Sequence, residues 1–212
     1  MGNVTMVSGT LARSVHHDLE LLTNFGDTAV LLPLSLVFFI WLLATHRAGT
    51  GLIWLAIVFA CNFIISALKL YFLSCPVGDM LRSPSGHTGF GILVYGSIIL
   101  ALAKAVRRRW LRHVVVALGA GLIAVIAMSR LILGNHSPIE IVIGAVIGGG
   151  FLAVFAALYK PGAGRPRHVF VLAAVALLVV LIFHGEQVKA EGFLRALGTE
   201  LGLKGEACRY HQ

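Results

Sequence analysis

The sequence predicts an all-α protein, a polytopic bundle of about six membrane-crossing helices. Two observations carry that reading. The mean hydropathy is +0.90, and 58% of the 212 residues are hydrophobic while only 12% are charged, where a soluble domain carries about a quarter charged residues. The apolar residues also gather into stretches near the ~20 residues that cross a bilayer's hydrocarbon core. These are positions 29–45, 51–73, 87–103, 113–133, 139–159 and 169–185, the first and last being short.

The segment before the first stretch, residues 1–28, is mostly polar and carries His16, His17, Asp18, Glu20 and Asp27 in place of an apolar signal core, so no cleavable signal peptide is expected. Its Leu11, Val15, Leu19 and Leu22 recur at helical spacing, as in an amphipathic helix lying on the membrane surface. Residues 29–185 read as one transmembrane domain and 186–212 as a C-terminal tail, with no long linker, low-complexity tract or internal repeat.

Basic residues set the orientation. Arg47, then Lys104, Arg107, Arg108, Arg109 and Arg112, then Lys160, Arg165 and Arg167 fall after the first, third and fifth stretches, and no acidic residue accompanies them. The positive-inside rule makes those loops cytoplasmic and puts both termini, with the loops after the second and fourth stretches, outside. The formal charge of +8 is thereby explained by topology, so nucleic acid is not an expected partner. Of three cysteines, Cys61 lies inside a span as packed volume. Cys75 and Cys208 share the outer side, where an oxidising compartment would allow pairing; two unpaired thiols are the expectation.

Ionisable groups inside spans are costly and mark cavities or bundle interiors. Here they converge on the outer half. Asn62, Ser66 and Lys69 share one helical face. His87 opens the third stretch, Ser129 and Arg130 close the fourth, and Asn135, His136 and Glu140 follow. Each has a plain structural use: Lys69 and Arg130 as snorkelling cations, Ser83-Pro84 as a helix start, Ser137 with Glu140 as a capping box. Together they place two cations, two histidines and a carboxylate at adjacent helix ends. Helix N-termini attract anions, Ser85 and Gly86 permit close backbone approach, and Lys69 and Arg130 add charge, which describes a phosphate site. Two histidines there supply a nucleophile and an acid, expected in a solvated site and not in the packed bundle.

Pro84-Ser85-Gly86-His87 resembles the second signature of the type 2 phosphatidic acid phosphatase (PAP2) superfamily. Ser129-Arg130, five residues, His136 and an acid four residues on resemble its third. The first is matched in part, from Lys69 to Pro76, with Pro76 where the family has arginine. The resemblance covers about 62–150 and implies a PAP2-like helical core. It implies His136 as nucleophile through a phosphohistidine, His87 as general acid and then base, and Lys69, Ser85, Gly86 and Arg130 as phosphate ligands, with no metal or other cofactor. Glu140 stands where the family has aspartate, to orient His136 or only to cap a helix. Arg82, three residues before Ser85, is the cation available to replace the missing arginine.

These residues lead to an expected phosphatase acting on a lipid or polyprenyl phosphate or diphosphate, in a bacterial cytoplasmic membrane, with its site on the outer, periplasmic face. A lipid phosphotransferase using the same histidine is the enzymatic alternative, and a non-catalytic lipid-binding or transport protein is the rival class. Gly144, Gly148, Gly149 and Gly150 suit close helix packing and a homodimer as partner.

Overall fold

In the computed structural model, residues 16–46, 48–74, 83–160 and 166–186 are described, with 192, 196 and 200. Leu11, Arg13, Val15, Arg47, Cys75, Pro76, Arg82 and Cys208 lie outside them. Among the described residues six long helices follow one another: α1 Thr28–Thr45, α2 Ala48–Ser74, α3 Gly86–Ala105, α4 Arg109–Ile132, α5 Pro138–Leu158 and α6 Pro166–Phe183. A further helical stretch over 16–24 leads through a turn into α1. There is no strand among the described residues, and five helices are long and apolar enough to cross a membrane, with a shorter apolar helix over His168–Phe183. The protein is a helical membrane bundle.

Helix ends follow local chemistry. Asp27 caps α1, its side chain accepting from the Ala29 amide, and Ser85 caps α3. Ser137, Pro138 and Glu140 start α5 with a proline in the first turn and a complete capping box. α4 ends in a Schellman turn: Gly134, at φ 68°, donates to the Leu131 carbonyl and Asn135 to that of Arg130. α4 begins at Arg109, four residues earlier than the apolar pattern alone implies, so Arg109 and Arg112 belong to its first turn and Lys104 to the last turn of α3.

α3 is the central helix, packed on α5 and α4 and also touching α1, α2 and α6. Phe38, Trp54 and Phe155 fill the bundle interior, with ring centroids 4.9 Å apart for Phe38–Trp54 and 5.1 Å for Trp54–Phe155. Large apolar side chains such as Phe63, Leu118 and Phe170 point outward, as expected when hydrocarbon is the solvent.

The glycines of α5 act within the chain. A Cβ on Gly144 would meet the Ser85 carbonyl oxygen at 2.5 Å, and one on Gly148 would overlap the Gly89 carbonyl. Gly144 and Gly148 therefore seat α5 against the start of α3. Cβ atoms on Gly149 and Gly150 would meet nothing within 4 Å.

Two ends of the bundle differ chemically. At one, the Lys104 ammonium donates to the Tyr159 carbonyl at 3.2 Å and lies 4.9 Å from that ring's centroid, while Trp41 Nε1 donates to the His168 carbonyl. The basic residues from Lys104 to Arg112 adjoin that end. The starts of α1, α3 and α5 and the end of α4 occupy the other end.

Candidate functional site

At that second end the two signature histidines each face a carboxylate. His136 Nδ1 lies 3.0 Å from Glu140 Oε2. Since a carboxylate only accepts, Nδ1 carries the proton and the ring's lone pair resides on Nε2. Glu140 also accepts from the Ser137 amide at 3.0 Å and, through Oε1, from the Ser83 amide at 2.7 Å. Its own carbonyl accepts from the Ser85 amide at 3.0 Å. Glu140 thus orients His136, caps α5 and docks the 83–85 segment at once.

His87 Nε2 lies 3.5 Å from Asp27 Oδ2. Asp27 is a site residue that sequence reasoning missed, having placed it in a polar N-terminal segment. The available signal was an aspartate directly before an apolar helical run, which marks a helix start.

Lys69 from α2 and Arg130 from α4 lie close enough to act electrostatically on both histidines. A Cβ on Gly86 would sit 3.8 Å from the Lys69 ammonium nitrogen, which sets that cation beside the start of α3. The Gly86 and His87 amides are first-turn N–H groups, which have no acceptor inside their own helix. Ser85 is different: it is fully buried, its amide is used by Glu140, and its hydroxyl caps Thr88. It shapes the site from behind. Asn62, on the α2 face with Lys69, turns back to the Val58 carbonyl. Arg82 and Pro76 lie outside the described residues.

The histidines are more enclosed than a solvated site would have them, with 8% of the His136 side chain and 20% of that of His87 exposed. Glu140 lies against the first, and the turn before α1 lies against the second. Burial holds the His136 imidazole below its ordinary value of 6.5, the Glu140 bond opposes this, and the charges of Arg130 and Lys69 add to it. The ring is neutral at pH 7, with a lone pair to donate.

Residues 74–163 match the family model of the PAP2 superfamily. Over this segment the chain is similar to the PAP2 superfamily. The matched PAP2 residues include His87, Arg130, His136 and Glu140, while Lys69 and Asp27 precede them. This similarity supports a phosphatase-type enzyme. The chain is also 28% identical over 192 residues to a Klebsiella pneumoniae protein described as an "Uncharacterized 22.5 kDa protein in cps region", covering 86% of this chain and 91% of that protein. No solved structure matches the chain.

Proposed function

We propose that this protein is an integral membrane phosphatase that hydrolyses a lipid or polyprenyl phosphate or diphosphate through a phosphohistidine on His136. The observation that carries the proposal is the His136–Glu140 pair, which leaves the Nε2 lone pair free for phosphorus beside two cations. Nε2 attacks, the P–O bond to the departing alcohol or, in a diphosphate, to the departing monophosphate breaks, and His87 protonates the departing oxygen. Water, deprotonated by His87, then displaces phosphate and returns the bonding pair to Nε2. Lys69, Arg130 and the Gly86 and His87 amides meet the charge that develops. Arg82 serves in this reading as a third cation. A site at helix ends, level with headgroups, suits a phosphate whose apolar tail stays in the bilayer. The positive-inside distribution supports an outer-facing site.

The test is release of inorganic phosphate by purified protein from diacylglycerol phosphates and polyprenyl mono- and diphosphates. The native protein releases phosphate and traps radiolabel on His136; His136→Ala does neither. Equal release by His136→Ala would end the phosphohistidine reading.

A further inference from the structure

Asp27 stands outside the PAP2 match, and three features hold it against His87. The Tyr95 hydroxyl, two turns along α3 from His87, donates to the Phe25 carbonyl at 2.6 Å, pinning the turn that precedes α1. Amides of Gly26 and Asp27 close that turn onto the carbonyls of Thr23 and Asn24 at 2.9 and 3.1 Å. Gly26 itself lies against the ring: a Cβ there would be 3.3 Å from His87 Cδ2 and 2.6 Å from Ile126 Cγ2. Only glycine lets the turn approach this closely.

The Asp27 carboxylate is divided between two tasks. Oδ1 caps α1 at the Ala29 amide, 2.8 Å away, and Oδ2 faces His87 Nε2. Capping alone asks nothing of the second oxygen, and a buried carboxylate, 9% exposed along its side chain, is costly unless its charge is met.

We propose that Asp27 is a positioning residue for His87, holding Nε2–H so that the protonated ring presents Nδ1–H to the leaving oxygen. This rests on the phosphatase reading above. When the P–O bond breaks, the Nδ1 proton passes to the departing alkoxide and a neutral imidazole remains, still held through Nε2–H on Asp27. The charged groups facing His87 among the described residues are Asp27 ahead of α1, Lys69 from α2 and Arg130 from α4. Asp27 supplies the negative charge against two positive ones, and without it the ring gives up its proton more readily.

Asp27→Asn separates the tasks, because asparagine caps a helix as well as aspartate does but carries no charge. The unfolding midpoint of this variant stays near the native one. Its kcat/KM for a lipid phosphate falls about 10- to 100-fold at pH 7, and the alkaline limb of the profile moves to lower pH. With p-nitrophenyl phosphate, whose leaving group departs without a proton, kcat/KM falls less than about 3-fold. Equal losses on both substrates, or no loss on either, would overturn the assignment. Imidazole NMR of the substrate-free protein keeps the two readings apart. The His87 ring should lose its proton at lower pH in Asp27→Asn than in the native protein whether or not any phosphate is cleaved. An unchanged titration rejects the role of Asp27, whereas a shifted one in a protein that releases no phosphate rejects the phosphatase reading alone.

Discussion

The Glu140 carboxylate accepts the Ser83 amide at 2.7 Å, joining residues 57 positions apart. Through this bond the acid that orients His136 also fixes the segment leading into His87, so the two halves of the site share one anchor.

Substitutions at Glu140 should therefore separate stability from rate. Glu140→Asp keeps a charge near His136 but withdraws an oxygen from the Ser83 amide, leaving a buried donor that costs about 1–3 kcal/mol. Its unfolding midpoint in detergent falls. Glu140→Gln keeps the length but removes the charge, and its kcat falls about 10-fold or more, as expected for a charge-assisted bond of roughly 1.5–3 kcal/mol. A Glu140→Gln enzyme with native kcat would refute the orienting role.

The pH profile follows from the His136 environment. Burial, with Arg130 and Lys69, holds the imidazole below 6.5 while Glu140 pulls it upward. The nucleophile must be unprotonated, so the acid limb of kcat/KM, after allowance for the substrate's own ionisation near about pH 6, should have its midpoint below 6.5. Activity is lost as pH falls through that midpoint. Glu140→Gln removes the upward influence and moves the limb lower still; a limb above 6.5 contradicts the assignment.

Glycine substitutions on α5 should divide by what each Cβ meets. Gly148→Ala drives a methyl into the Gly89 backbone and should cost about 1–3 kcal/mol or more, since overpacked backbones have nowhere to move. Gly150→Ala meets nothing within 4 Å and leaves the unfolding midpoint equal or higher, alanine being the better helix former. Matching midpoints for the two variants would show that the α3–α5 contact is not close.

Single cysteines at positions 108 and 135, in a background lacking native cysteines, test the orientation. Both positions are exposed and belong to opposite ends of the bundle. An impermeant thiol reagent should label position 135 in intact cells and position 108 only after permeabilisation. The reverse pattern would invert the topology.

Hydropathy made the spans legible because the apolar lengths are themselves the structure: the third, read as 87–103, is Gly86–Ala105. The start of α4 was hidden because Arg109 and Arg112, basic residues at a membrane edge, look like loop. In the site, Lys69, His87, Arg130, His136 and Glu140 converge as their spacing implies. What the pattern could not convey was division of labour. The inward turn of Ser85, the self-bonding of Asn62 and the approach of Asp27 to His87 depend on which helices pack together, and a linear pattern carries no such information.

The pairing of α1 with α6 has a consequence for biosynthesis. Trp41 Nε1 reaches the His168 carbonyl across 127 positions at 2.9 Å, and His184 Nε2 meets the Leu21 carbonyl across 163 positions at 3.0 Å. At roughly 5–20 residues per second of translation, α1 waits on the order of ten seconds in the lipid for α6 to arrive. Until then nothing from α6 holds α1, or the aspartate ahead of it, against the remaining helices. A nascent chain stalled before α6 would already contain both signature histidines, yet the clasp between α1 and α6 would still be missing.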